Sequence, residues 1–365
     1  MKISRRDFVA YSSGLLSSVV PFLNDGQNSL LKVVNARISA AVPSADKNIL
    51  VVIHLAGGND WFNTIIPYKD KSYYADRPSL GVPRNTVLRL NEQFALHPNM
   101  DGIKELYDRD EVAVLLNSGH SQKILSHHKA IDNMQYARYE HRSAATWQGY
   151  CARHVEQSLM DRQILPVINV EPKFLVLENN AIESEEQIFI SSLAAGNKFN
   201  LDSHYCLNES QGNNSLLNIS IDHLSESHFV DSTVRKLSGG GSYGNTDGFS
   251  RTMNAVANWI LSNSNAVVYH ISLGGFDTHA NQSAQHAHLL SMLSRALLSF
   301  QNNLEKAGVA HRVLTLVCSE FGRSYRENES LGTDHSSINH VLAIGQPVTG
   351  GIYGNDQLFK QLKCG

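Results

Sequence analysis

The 365-residue sequence contains little cysteine, little net charge and no long apolar run. Its cysteines, Cys151, Cys206, Cys318 and Cys364, are widely spaced and form neither a CxxC pair nor a zinc-finger pattern, so no specific disulfide and no structural zinc site is predicted. A net charge of −3 gives no reason to expect a nucleic acid or an anionic membrane as a partner. With 42% hydrophobic and 18% charged residues, the chain has the composition of a globular protein with a large core.

The first 45 residues are predicted to be a signal segment and short linker outside the fold. Lys2, Arg5 and Arg6 form a basic start, and a serine-diluted apolar segment follows over residues 8–23. This segment is shorter and more polar than the roughly 20 apolar residues that span a bilayer, so no stable membrane span is expected. The adjacent arginines resemble a twin-arginine export signal, with an amphipathic N-terminal helix as the alternative interpretation.

The export interpretation also predicts a processing region and a location. Cleavage after Ala36, or after another small residue before Ala45, fits the sequence, and the pattern does not choose between them. Export by this route resembles that of proteins that fold, often with a cofactor, before they cross the membrane. We therefore expect the twin-arginine export machinery as a partner and a periplasmic or secreted protein.

The remaining chain, residues 46–365, alternates strand and helix patterns and is predicted to form a single α/β domain. Continuous β-rich apolar runs indicate strands that are buried on both faces. These runs cover residues 49–55, 112–116, 267–273, 313–317 and 340–344, with weaker candidates at 166–170 and 174–177. Strand–helix–strand spacing implies right-handed crossovers and a mainly parallel sheet with helices on both faces.

One long helix is predicted over residues 284–307, where leucine and phenylalanine recur at three- and four-residue intervals. Gly308 is a suitable end for it. His286 and His288 lie two residues apart on this helix, so they point to different sides, and both are predicted to face solvent.

Residues 179–248 depart from the strand–helix alternation. The segment is rich in asparagine, serine and glycine and has little apolar periodicity. We interpret it as a loop-rich insertion, a lid-like excursion with mobile loops. The chain shows no internal repeat and no coiled-coil pattern.

Polar residues follow several of the predicted strands. In an open parallel sheet, ligands bind in the crevice beyond the carboxyl ends of the strands. The residues at these ends that can carry chemistry are Asp60, Asp277, His279, Glu320, Asp334 and His335. Without a cation, carboxylates gathered at one edge would raise one another's pKa. Together with imidazoles they are suitable ligands for zinc, manganese or a similar divalent ion.

Each of these residues also has a purely structural interpretation. The segment 57–60, Gly-Gly-Asn-Asp, suits a tight turn, because glycine and asparagine tolerate positive φ. Asp277 is a possible helix cap, and the pair at 334–335 suits a turn. Glu320 follows a buried strand, where an unpaired carboxylate is costly, and Arg323 is its structural candidate partner.

Several motifs resemble a known family when they are taken together. In order they are LAGGND at 55–60, RPSL at 77–80, LHP at 96–98, SH at 126–127, GGFDTHANQ at 274–282, SEFGR at 319–323, GTDH at 332–335 and GGIYG at 350–354. They cover nearly the whole mature chain and are similar to domain-of-unknown-function family 1501, exported proteins placed with the alkaline phosphatase and sulfatase superfamily. The resemblance implies an alkaline-phosphatase-like α/β fold.

The resemblance also implies a metal site and a reaction class. One or two divalent ions, zinc or manganese, would be held at the carboxyl edge by Asp60, Asp277, His279, Glu320 and His335, with Asp334 as a further candidate. The superfamily nucleophile is a serine or threonine at a helix start, for which Ser126 is the nearest candidate. A helix cap is its alternative role. The implied activity is hydrolysis of a phosphate or sulfate ester of unknown identity, and a non-catalytic exported binding or assembly protein is the alternative.

Two kinds of departure from the family pattern stand out. His128 follows Ser-His where the family has phenylalanine, and Ser336 follows Asp-His where it has glycine. The sequence also ends at Gly365, soon after GGIYG, where a further strand and helix are expected. This departure favours a C-terminal truncation, which would leave an edge of the sheet uncovered.

Overall fold

The structure is a computed structural model that describes residues 48–118, 126–136, 167–171, 190–194, 248–261 and 268–354. The predicted signal segment, most of the 179–248 insertion and the weak strand candidate at 174–177 lie outside these residues. None of the helices in the described ranges is long and apolar enough to cross a bilayer.

The described elements alternate along the chain. The strands are β1 (Ile49–Leu55), β2 (Ile65–Ile66), β3 (Leu88–Arg89), β4 (Ala95–Leu96), β5 (Val112–Leu115), β6 (Val167–Glu171), β7 (Ile190–Ala194), β8 (Val268–Leu273), β9 (Val313–Cys318), β10 (Gly322–Arg323), β11 (His335–Ser336), β12 (Val341–Ile344) and β13 (Gly351–Tyr353). The helices are α1 (Trp61–Thr64), α2 (Lys71–Asp76), α3 (Asp101–Asp108), α4 (His127–Tyr136), α5 (Gly248–Leu261) and α6 (Gln282–Lys306), and a 3₁₀ turn covers Ala310–Arg312.

Eight strands form the main sheet in the order β13-β5-β12-β9-β1-β8-β6-β7. The central strand β1 pairs in parallel with β8 and β9, and all the other strands except β12 run in the same direction. The expected mainly parallel sheet of an α/β protein is therefore confirmed. The last predicted strand is antiparallel to both of its neighbours, β5 and β9, which the apolar run alone did not indicate.

The chain covers both faces of the central sheet. Successive side chains of a strand point to opposite faces, and every residue of β1 except Leu50 is buried. Val51, Ile53 and Leu55 join a single apolar core with buried residues of α3, α5 and α6. The alternating residues Val52 and His54 lie on the opposite face and are also buried. The prediction of a strand buried on both faces is confirmed for β1.

Helix α6 lies close to the predicted bounds and contacts both α3 and α5. Gly308 follows it with a φ of 72°, a left-handed conformation that glycine adopts without strain. The prediction that His286 faces solvent is wrong, because its side chain is buried and its Nε2 lies 2.9 Å from Asn59 Oδ1. Burial lowers the pKa of His286 to about 4. His288 is exposed, as expected.

Two elements near the predicted insertion were not anticipated. Strand β7 lies inside residues 179–248 and pairs in parallel with β6 at one end of the sheet, so the insertion is not entirely loop. Helix α5 begins at the last residue of that range. Its buried Phe249, Met253, Val256 and Ile260 recur at helical spacing, and they pack into the same core as α6.

Candidate metal centre

The candidate site lies at the edge of the sheet where β1, β8 and β9 end. Because β12 runs the other way, it begins at this edge, where Val341 pairs with Leu115 at the end of β5. The chain between β9 and β12 therefore remains at this edge, and it carries Glu320, Arg323 and His335. The antiparallel direction of β12 thus brings this late segment beside the polar residues that follow β1 and β8.

A tight turn after β1 brings the loop that follows β1 against the loop that follows β8. Gly57 has a φ of 119°, and a Cβ at this position would lie 2.3 Å from the backbone nitrogen of Asp277. Only glycine permits both the dihedral angle and this close approach. The predicted turn is present at Gly57 and Gly58, whereas Asn59 forms a bridge with Gly322. The turn lets the loop after β1 lie directly against the loop after β8.

Arg323 forms hydrogen bonds to several of the loops at this edge and so connects them. Its guanidinium group is fully buried and donates to the carbonyls of Gly58 at 2.8 Å and Thr333 at 2.9 Å, and to that of Gly57. It also donates to Oδ1 of Asp277. Burial opposes ionisation of Asp277, but the hydrogen bonds from Arg323 and His335 and the charges of Arg323 and His127 together hold the pKa of that carboxyl below its ordinary value.

His127, Asp277 and His335 form a group whose ligand atoms satisfy the distance requirement for a shared metal ion. One ligand atom from each lies within 4.8 Å of the other two. Oδ1 of Asp277 is 3.5 Å from Nε2 of His127 and 3.4 Å from Nε2 of His335. The ring of Phe321 packs against both imidazoles, with centroid distances of 4.7 and 4.4 Å, and fixes their position from one side.

His279 and Asp334 flank this group on its exposed side. Nε2 of His279 lies 3.1 Å from Oδ1 of Asp277 and 2.9 Å from Nε2 of His335. Its Nδ1 is 3.6 Å from Oδ1 of Asp334, which also accepts a hydrogen bond from Asn328 at 3.1 Å. Of the six residues predicted to hold metal, the structure therefore brings Asp277, His279, Asp334 and His335 together.

Glu320 is buried beside the group and makes different contacts from those expected. Its Oε2 lies 2.9 Å from Nε2 of His54, and its Oε1 lies 2.9 Å from Nδ1 of His127. The backbone N–H of Gly57 also donates to Oε1, at 2.8 Å. The structural alternative that paired Glu320 with Arg323 is wrong, because Arg323 bonds to Asp277 instead.

Asp60 is fully buried and lies outside the three-residue group. Arg77 holds both of its oxygens, with Nη1 2.6 Å from Oδ2 and Nη2 3.0 Å from Oδ1. Gln282 donates to Oδ2, and Oδ1 caps the start of α1. Burial would raise the pKa of Asp60, but the charge and hydrogen bonds of Arg77, with smaller contributions from His286 and Gln282, together lower it. The structure thus places Asp60 in an ion pair and not beside the other predicted ligands.

Ser126 immediately precedes α4, the helix that begins with His127. Ser126 is exposed, and its carbonyl accepts the first helical hydrogen bond, from the N–H of Ala130 at 2.9 Å. This is the backbone geometry of a residue at a helix start. The predicted nucleophile is therefore next in the chain to a member of the candidate metal group.

Residues 253–361 match a family model described as "Protein of unknown function (DUF1501)". This range includes Asp277, His279, Glu320, Asp334 and His335 but not His127. Searches among curated proteins gave no match.

Solved structures with a similar fold share little sequence with this chain. The phosphonate monoester hydrolase of Agrobacterium radiobacter aligns at 8% identity and a TM-score of 0.40, over 87% of this chain and 74% of its own. The alkaline phosphatase from the Antarctic bacterium TAB5 aligns at 11% identity and a TM-score of 0.39, over 87% and 97%. The zinc complex of the C-terminal periplasmic domain of EptC from Escherichia coli aligns at 7% identity and a TM-score of 0.38, over 83% and 74%.

Sequence reasoning missed three residues that organise the edge. His127 belongs to the Ser-His motif, and a histidine at a helix start beside a candidate nucleophile is a signal that could have identified it. His54 lies within the apolar run of β1, where a buried imidazole requires a polar partner. Arg77 belongs to the RPSL motif, and nothing near it in the sequence identifies Asp60 as its partner.

Proposed function

We propose that the protein is an exported, metal-dependent hydrolase of phosphate or sulfate esters. The observation that supports metal binding is the side chain of His127. Its Nε2 is buried and makes no hydrogen bond to any residue in the described ranges. A buried polar atom without a hydrogen-bond partner is costly, and this one, unpaired among the described residues, lies 3.5 Å from Oδ1 of Asp277. Two imidazoles and a carboxylate are a suitable set of ligands for zinc or manganese.

His127, Asp277 and His335 would hold the ion, and His279 is close enough to complete the set. A bound divalent ion would stabilise negative charge on a transferring phosphoryl or sulfuryl group and lower the pKa of a bound hydroxyl or water. The contacts of Asp60 and Glu320 favour one ion over two, because protein donors already occupy both carboxylates.

The chain's own residues supply the other requirements of such a reaction. Ser126 is exposed at the start of α4, so its hydroxyl is accessible as the nucleophile in ester cleavage. The buried Arg323 fixes Asp277 in place, and the ring of Phe321 shields one side of the imidazoles from water. The choice of phosphate or sulfate esters rests on the sequence motifs and not on this geometry.

A non-catalytic exported binding or assembly protein is the second candidate. The specific observation that favours it is that Asp60 and Glu320, expected to hold metal, are satisfied internally. In both cases we infer export by the twin-arginine machinery from Arg5 and Arg6, with residues 46–365 as a single domain.

Elemental analysis and zinc titration of the purified full chain test the proposal. We expect about one equivalent of zinc or manganese in the purified chain. His127→Gln and His335→Gln should each purify without it and bind zinc more weakly in the titration. His288→Gln, on the exposed side of α6, is the matched histidine control and should retain it. Hydrolysis of p-nitrophenyl phosphate or sulfate that a chelator stops and zinc restores would support the enzyme. Metal binding without turnover of either ester would favour the second candidate, and a metal-free parent would refute metal dependence.

A further inference from the structure

Glu320 lies between two imidazoles that come from different parts of the chain. Its side chain is 1% exposed, and it contacts His54 in β1 and His127 at the start of α4, each at 2.9 Å. The N–H of Gly57 is a third donor to the carboxylate. With two imidazole nitrogens and the N–H of Gly57 around it, the carboxylate is placed as an acceptor on both of its oxygens.

This arrangement determines which nitrogen of each ring carries hydrogen. An ionised carboxylate has only acceptors, so both nitrogens that face it must be N–H donors. His127 therefore carries a hydrogen on Nδ1, and His54 carries one on Nε2. In the neutral His127 ring the lone pair is then on Nε2, the buried atom that lies 3.5 Å from Oδ1 of Asp277 and makes no hydrogen bond among the described residues.

We propose that Glu320 is a positioning residue that acts through His127, and not a metal ligand as the family pattern implies. Its carboxylate fixes the Nδ1–H tautomer and the ring orientation of His127, so that the Nε2 lone pair faces the space shared with Asp277 and His335. His54 and Gly57 hold the carboxylate in turn. The inference rests on the proposed function in one respect only, the assumption that a metal ion binds to Nε2 of His127.

The sheet explains why these groups meet. Glu320 comes two residues after the end of β9, and His54 lies in the adjacent strand β1, where it pairs in register with Cys318. The two side chains therefore leave neighbouring strands at the same edge. A carboxylate that accepts a hydrogen bond from a ligating imidazole fixes its tautomer and makes the other nitrogen a better ligand. Glu320 has the contacts that this role requires.

The tautomer can be measured without any metal. Two-bond ¹H–¹⁵N correlation spectra of the metal-free full chain, labelled with [¹⁵N]histidine, distinguish Nδ1–H from Nε2–H rings, and the signal missing from His127→Gln identifies His127. We expect the Nδ1–H form, or both nitrogens protonated at low pH. A neutral His127 ring in the Nε2–H form would overturn the proposal, whether or not Glu320 variants fold.

A double-mutant cycle distinguishes positioning from ligation. Glu320→Gln keeps the shape of the side chain, and its amide oxygen can still accept from His127, but the negative charge is lost. We expect zinc affinity to fall about 10- to 100-fold in the parent. In the His127→Gln background the same change should alter residual zinc affinity by less than about twofold, because effects that pass through one residue are not additive.

Each outcome of the cycle has a definite meaning. An equal loss in both backgrounds would show that Glu320 acts independently of His127, as a ligand, and would overturn the inference. An unchanged affinity in Glu320→Gln would also overturn it. His288→Gln is the control and should change neither the affinity nor the His127 signal. A parent that binds no zinc but shows the Nδ1–H ring would refute the proposed metal dependence while supporting the positioning of His127.

Discussion

Arg77→Leu tests the interpretation that Asp60 belongs to an ion pair and not to the metal centre. Arg77 is fully buried, and its side chain donates to both oxygens of Asp60, to Oδ1 of Asn63 and to the carbonyls of Ser324 and Tyr325. Leucine removes all of these donors. Among the described residues, Gln282 and the N–H groups of Phe62 and Asn63 would then be the remaining donors to the buried Asp60 carboxylate.

The expected cost follows from the burial of both partners. Removing one member of a buried ion pair typically costs about 3–5 kcal/mol, because the remaining charge is uncompensated. With both side chains at 0% exposure, Arg77→Leu should be near the upper end of that range. Adding Asp60→Asn removes the charge, so the double variant should recover part of the loss and be more stable than Arg77→Leu alone.

Urea denaturation of the single and double variants measures these differences. Arg326→Leu is the matched control, because Arg326 pairs with Asp76 at 3.1 Å but is 80% exposed. A surface pair of this kind contributes about 1 kcal/mol or less. If Arg77→Leu cost no more than the control, or if Asp60→Asn gave no recovery, the buried ion pair would be refuted. If Arg77→Leu gained a second equivalent of zinc, Asp60 would again be a candidate ligand.

Three further predictions concern acid stability, the nucleophile and export. His286 has a pKa of about 4 in the folded protein against an ordinary 6.5, so the unfolded chain takes up the proton first as pH falls. The contribution of neutral His286 to the free energy of unfolding is fully present above pH 6.5 and should decline by roughly 3 kcal/mol towards pH 4. His286→Gln should therefore flatten the pH profile of the urea midpoint. Ser126→Ala should abolish ester hydrolysis while zinc content and Tm stay nearly unchanged, and undiminished turnover would exclude Ser126 as the nucleophile. Arg5→Lys with Arg6→Lys should stop export in a cell-fractionation assay without affecting folding, and continued export would contradict the signal assignment.

The central fold was predictable because local patterns determine it. The runs at 49–55 and 313–317 are long, β-rich and apolar, and a strand buried on both faces requires that composition. Helix α6 was predictable from its spacing of leucine residues. The direction of β12 was not, since a short apolar run fits a parallel or an antiparallel neighbour equally well. Its direction depends on pairing with β5 and β9.

The candidate site was predictable only in part. Asp277 and His335 could be placed at one edge because each lies beside a strand end. The side chains that pair with Asp60 and Glu320 could not be predicted, because these pairs form between distant parts of the chain. Glu320 meets His54 from 266 positions away, and nothing local in the sequence distinguishes that contact from a pair with Arg323. The prediction that His286 faces solvent fails because helix spacing identifies a face of the helix but not what covers that face.

The antiparallel direction of β12 determines where the chain can accept insertions near the candidate site. The chain leaves β9 and enters β12 at the same edge, where Leu342 pairs with Val317, so residues 319–340 form one long hairpin connection. Lengthening a closed loop costs little, about 0.6 kcal/mol for each doubling of its length. Insertions near the exposed Ser330 would therefore extend the wall of the crevice without disturbing the sheet, since Gly322 and Ser336 pair nearer the base of the connection. A change confined to this single connection would therefore reshape the crevice with the eight strands left as they are.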